Sequence, residues 1–172
     1  MIHREISRVI FKGDIDAFDE IVRQGYNIHS ITEKEHWNLL HRALVSVTLK
    51  PKIEMINHLI ECRVNVNGID VYGYTPLHYA ARTKNLKIIA LLLNSGAEID
   101  LVENEGSTPL KLTFQKKPYN LDVVRLLLSR GANMNHSING GLSIYELVKI
   151  ICHKEQEFQI VDLFDTYKKE SN

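Results

Sequence analysis

Four short segments recur along the chain at a nearly constant separation: Gly25-Tyr-Asn-Ile-His29, Arg63-Val-Asn-Val-Asn67, Gly96-Ala-Glu-Ile-Asp100 and Gly131-Ala-Asn-Met-Asn135. Their first residues, 25, 63, 96 and 131, lie 38, 33 and 35 positions apart. A second set begins at Asn38, Thr75, Thr108 and Ser143, with separations of 37, 33 and 35. The two landmarks drift together, so the period belongs to the chain. A period of this length restricts the fold to stacked supersecondary units, each too small to bury its own apolar face.

Local chemistry accounts for each landmark. Thr75 and Thr108 can accept a hydrogen bond from a helix N-terminus, with Pro76 and Pro109 at the first helical position. Short helices are therefore expected in LHYAARTK and LKLTFQKK. Apolar-periodic stretches (AFDEIVRQ, IEMINHLIEC, KIIALLLNS, DVVRLLLSR) precede the first landmark in each unit, and Gly96 and Gly131 stand where a left-handed residue ends such a helix. Val71-Tyr-Gly73 and Asn104-Glu-Gly106 are turn sequences leading from one unit to the next. The extra residues that stretch the period fall at 47–52 and 116–120, between the two helices of a unit.

The Thr-Pro-Leu-His and Gly-Ala-x-x-Asp signals, at this period, resemble the ankyrin repeat. DVYGYTPLHYAARTKNLKIIALLLNSGAEID follows the family pattern throughout. The resemblance covers essentially the whole chain and implies an all-α ankyrin-repeat solenoid in a single domain, 1–172. Its five helix-turn-helix units with extended turns are expected at 2–33, 34–70, 71–103, 104–138 and 139–170. The first unit lacks the Thr-Pro start and the fifth lacks the Gly-Ala end, which suits outer units acting as caps. Leu77, Ala80, Ala81, Ile88, Leu91 and Leu92 are expected to pack against neighbouring units. Thr113 and Phe114 stand where the third unit has its two alanines, so the fourth should be bulkier or slightly splayed there.

Signals for chemistry are absent at this level. The resemblance assigns His41 and His78 to tying a helix start to a neighbouring turn, and no pair among the eight histidines has HExxH or CxxC spacing. No metal, cofactor or catalytic residue is expected, and Gly140-Gly141 reads as a loose turn. Cys62 and Cys152 fall in the second and fifth units, too far apart for a disulfide, and read as small hydrophobes in a reducing compartment. The charged N-terminus carries no signal-peptide core and no apolar run is long enough to span a membrane, so the expected location is cytoplasmic. The 21 basic and 21 acidic residues give no net charge, which argues against nucleic acid as a partner.

The expected function is therefore non-catalytic binding of another protein by a chain that is monomeric when free. Ankyrin-like arrays usually bind through turn tips and the exposed face of the first helices. The candidate contacts are Glu35, Trp37 and Arg42 in the second unit, Tyr72, Tyr74, Tyr79 and Arg82 in the third, and Glu105, Leu112 and Gln115 in the fourth. Aromatics and arginine lead this choice because they bury much area with few lost rotamers. Glu33, Glu35, Asp70, Asp100, Glu103 and Glu105 gather toward the turns, either as a solvated edge or as a strip for a basic partner. The fifth unit looks similar to the final units of bacterial ankyrin proteins, which points to a stoichiometric inhibitor of the immunity or antitoxin type. The alternatives are a scaffold or host-directed adaptor, including a viral mimic, and an enzyme with an unrecognised site.

Overall fold

A computed structural model describes residues 2–46, 50–137, 140–154 and 157–170; the expected insertion at 47–52 thus lies partly outside the described residues. The order of elements is α1 (Ile2–Lys12), α2 (Ile15–Arg23), α3 (Leu39–Leu44), α4 (Ile53–Glu61), α5 (Pro76–Arg82), α6 (Leu86–Asn94), α7 (Pro109–Leu112), α8 (Leu121–Ser129), α9 (Ile144–Lys154) and α10 (Phe158–Glu170). Among the described residues there is no strand longer than a single bridge, between Ser137 and Ser143. The chain is an all-α repeat solenoid.

Each helix pair forms for local reasons. The Oγ1 atoms of Thr75 and Thr108 accept from the backbone N–H groups of His78 and Lys111, starting α5 and α7. Asn38 replaces threonine at the start of α3, and its Oδ1 accepts from His41 N. Gly96 ends α6 at φ +86°, and in the second unit Arg63 takes the same left-handed conformation at φ +64°. Stacking then follows from the apolar faces: α3 lies against α1 and α5, α5 against α7, while α4, α6 and α8 form a second row that continues onto α10. Leu39, Leu40, Ile56, Leu59, Leu77, Ile88, Leu92, Val123, Leu127 and Phe164 are all buried in one continuous core.

One expectation is refined and another corrected. Leu91 packs against the core as expected but is only half-buried at its rim, whereas Ile89, not anticipated, is fully buried beside Leu92. LKLTFQKK does not form a helix of the expected length: α7 stops after one turn, where Thr113 Oγ1 turns back to Leu110 O at 2.7 Å. Thr113 and Phe114 are nevertheless buried, and Phe114 stacks edge-on against Phe164 of the last helix pair.

Candidate functional site

Between units, each turn is stitched to the next through the backbone. Val71 N donates to Glu35 O at 3.1 Å and Asn104 N to Tyr72 O at 3.0 Å, so the turn tips form a hydrogen-bonded row. Two imidazoles lock the helices beneath. Nδ1 of His78 contacts Thr75 Oγ1 at 2.8 Å and accepts from Thr75 N, while Nε2 reaches Ser107 O at 3.2 Å. His41 repeats the arrangement with Asn38 and Tyr74 O. At His78 these contacts suit the neutral ring with its hydrogen on Nε2, the Thr75 hydroxyl being able to donate to Nδ1. Burial holds both imidazoles below the ordinary histidine value, outweighing the backbone hydrogen bonds that favour the charged form.

The centre of the face is Asp70. Its carboxylate, 5% exposed, accepts from Tyr72 N and Tyr74 N at Oδ1, both at 2.9 Å, and from Trp37 Nε1 (3.2 Å) and Tyr79 OH (2.7 Å) at Oδ2. One turn-forming carboxylate thus gathers all four aromatics named from the sequence. Tyr74 and Tyr79 lie with ring centroids 5.4 Å apart. The Arg82 guanidinium sits over both, at 5.8 Å and 4.8 Å from their centroids. The Tyr79 phenol is held above its ordinary value by burial first and by the bond to Asp70 second. Glu103 organises the following turn in the same way, with its carboxylate accepting from Glu105 N (2.9 Å) and Ser107 N (2.8 Å).

The ten candidates therefore divide. Tyr72 is 59% exposed and shares a hollow with Tyr74, Tyr79, Arg82 and Glu105. Gln115 is exposed and lines an adjoining hollow with Arg82 and Leu112. Glu35 and Trp37 are half-buried at the turn tip. Three residues expected to project from the surface do not: Arg42, Tyr79 and Leu112 are only 6%, 4% and 1% exposed. Arg42 is turned inward to Ser7 and Tyr26, as a polar link to the first unit. Tyr79 and Leu112 form the floor of the face. The acidic strip is likewise reduced, since Asp70 and Glu103 are buried turn formers.

Sequence reasoning missed two features. Ile31, Ile69 and Val102 are exposed at matching places in successive units, 38 and 33 residues apart, and form an apolar row beside the turns. Their common register was the available signal. Lys84, Lys117 and Tyr119 line a third hollow with Arg82 and Lys116; its only trace in the sequence was the insertion at 116–120.

On the outer row, His58 Nε2 lies 2.6 Å from Asp19 Oδ1 and 3.8 Å from Cys62 Sγ. Both partners meet the same ring nitrogen, so the grouping is no nucleophile relay. Burial, with Asp19 and Glu61 nearby, pushes the Cys62 thiol up, away from the reactive thiolate. Among the described residues no cluster of His, Cys, Asp and Glu could hold a metal ion, and no helix is long and apolar enough to cross a membrane.

Comparison with known proteins agrees with this architecture. The family described as ankyrin repeats (3 copies) matches residues 6–103 and 50–138. An ankyrin repeat protein of fowlpox virus is 38% identical over 77 residues, 45% of this chain and 11% of that protein. An ankyrin repeat protein of Acanthamoeba polyphaga mimivirus is 30% identical over 159 residues, 84% of this chain and 20% of its own length. One from Rickettsia felis is 36% identical over 88 residues, 51% of this chain and 46% of its own. The chain thus spans less than half the length of each of these relatives.

Proposed function

The chain belongs to the ankyrin-repeat family, a protein-interaction fold, and we propose that it acts as a non-catalytic, stoichiometric binder that inhibits another protein by occupying its surface. The observation that carries this reading is the aromatic cluster around Asp70. One buried carboxylate fixes the Trp37 and Tyr79 side chains and the backbone of Tyr72 and Tyr74, beneath the exposed Tyr72 ring and an arginine that no ion pair neutralises among the described residues. A surface ordered in advance loses little conformational entropy on binding, and aromatic and arginine anchors are the side chains that most often dominate an interface. Tyr72, Arg82, Glu105 and Gln115 make the contacts; Trp37, Tyr74, Tyr79 and Leu112 support them from beneath.

The test is affinity capture from the native source with the parent and with Tyr72→Ala/Arg82→Ala. A folded double variant is expected to lose at least about tenfold in affinity. Equal retention of the partner moves the binding surface elsewhere. Loss of the partner's own activity at one-to-one stoichiometry identifies inhibition. A second reading, a scaffold or host-directed adaptor, draws support from the viral sources of two relatives. It predicts a partner whose activity survives binding and a second protein in the same complex.

A further inference from the structure

Three hollows run into one another along the face. The first lies at the turn tips with Tyr72, Tyr74 and Glu105; the second shares Val45 and Arg82 with it and adds Leu112 and Gln115. The third shares Arg82, Thr83 and Lys116 with the second and ends at Lys84, Lys117 and Tyr119. Together they make one groove, carboxylate-bearing at the turns, apolar at Val45 above the buried Leu112, and cationic at its far end.

The cationic end is assembled by the fold. Directly after α5, Lys84 adopts φ +55°, and its ammonium crosses to the next unit, donating to the carbonyls of Lys116 and, at 2.6 Å, Pro118. This bond pins the inserted loop after α7 against the end of α5. Lys116 and Lys117 are thereby held beside Arg82 and Lys84, with Tyr119 under the ammonium groups of Lys84 and Lys117 at 5.6 Å and 5.8 Å.

Gathering these charges opposes folding. The Lys84 ammonium is pushed below the ordinary lysine value by burial and by Lys116. Among the described residues no carboxylate stands within ion-pair distance of Arg82, Lys84 or Lys116. The buried Nε of Arg82 has no hydrogen-bond partner either. The C-terminus of α5 favours nearby cations and accounts for Arg82, but it does not account for Lys116, brought in from another unit.

From this arrangement we infer that the groove seats an extended acidic segment of the partner protein, with its apolar side chains over Val45 and the Tyr72 ring and its carboxylates on Lys116, Lys117 and the Arg82 guanidinium. Lys84 is a positioning residue that holds the loop in place. The inference rests on the reading of this face as the binding surface, and it names the chemistry of the partner.

The test uses short fluorescent peptides sharing a Leu/Tyr centre, one ending in a run of Glu and one in a run of Gln, titrated by anisotropy against the full chain, Lys116→Gln/Lys117→Gln and Tyr72→Ala. Both lysines are exposed, and circular dichroism of the double variant checks that it keeps the fold. The Glu peptide is expected to bind the parent about tenfold tighter than the Gln peptide. That preference should shrink with added salt and collapse in Lys116→Gln/Lys117→Gln. Equal affinity for both peptides, no binding of the Glu peptide, or a preference that survives the lysine substitutions overturns the inference. The two readings fail separately. If Tyr72→Ala weakens both peptides and no acidic preference exists, the face stands and the acidic partner falls. If the preference holds but Tyr72→Ala changes nothing, the aromatic face falls.

Discussion

Trp37 Nε1 donates to Asp70 Oδ2 at 3.2 Å, reaching from one turn tip into the next, and the same oxygen accepts the Tyr79 hydroxyl at 2.7 Å. The carboxylate is thus shared between the backbone of its own turn and side chains on either side.

Replacing Asp70 with alanine leaves Trp37, Tyr79 and two backbone N–H groups short of an acceptor. The expected loss is about 3 kcal/mol of folding stability, against about 1 kcal/mol for Trp37→Phe, which removes a single bond. Denaturant titration measures both. Because Trp37 is the single tryptophan, its fluorescence emission should also shift to the red in the folded Asp70→Ala variant. Identical midpoints for the two variants would show that Asp70 does not organise the cluster.

The two neighbouring leucines of α6 separate the core from its rim. Leu92 is fully buried and Leu91 half-buried. A charge at Leu92 has no route to water, so Leu92→Asp should cost more than about 4 kcal/mol, while Leu91→Asp should cost about 1–2 kcal/mol and stay folded. Circular dichroism melts decide it; the opposite ranking would require α6 to be rotated from the position described.

Acid should weaken the array before its carboxylates titrate. His41 and His78 are held below the ordinary value of 6.5 in the folded chain. Above that value the unfolded rings are neutral too, and the full stability is present. As pH falls below 6.5 the unfolded state takes up protons that the folded state refuses, so stability declines towards the folded values. Urea midpoints between pH 6.5 and about pH 5, above most carboxylate titrations, should fall steadily. His78→Gln should flatten that slope, whatever its effect on stability at neutral pH. A parent midpoint independent of pH in this window would contradict the neutral, doubly bonded ring.

Gly73 turns at φ +79°, and a Cβ there would lie 2.8 Å from Asn104 Oδ1 and 3.0 Å from Asn104 N in the next turn. Gly96 has a similar φ of +86° with nothing within 4 Å of the added atom. Gly96→Ala should therefore cost only the left-handed strain, about 1 kcal/mol, and Gly73→Ala at least about twice that, because the neighbouring turn must shift. Equal thermal shifts would mean that the turn tips do not abut.

The repeat was legible because its landmarks are local backbone requirements. A threonine that caps and a glycine that adopts positive φ leave the same mark wherever they recur. The depth of the leucines was not: Leu91, Leu92 and Leu93 follow one another, and a period of 3.6 cannot choose among three successive apolar residues. Asp70 was visible as an acidic turn residue, but its burial depends on Trp37 and Tyr79 closing over it from other elements. The cationic end was the least legible feature. It exists because a left-handed Lys84 reaches carbonyls of an irregular loop more than thirty residues away, and no periodic pattern encodes such a crossing.

The sharing of one carboxylate has a hereditary consequence. Trp37, Tyr79 and Asp70 are separated in sequence but satisfied together, so a change at any one strands the others before it can alter recognition. Descendants of this chain are expected to retune specificity at Tyr72, Gln115 and Lys116, whose side chains owe nothing to that carboxylate, and to replace the Trp37–Asp70–Tyr79 trio only as a set.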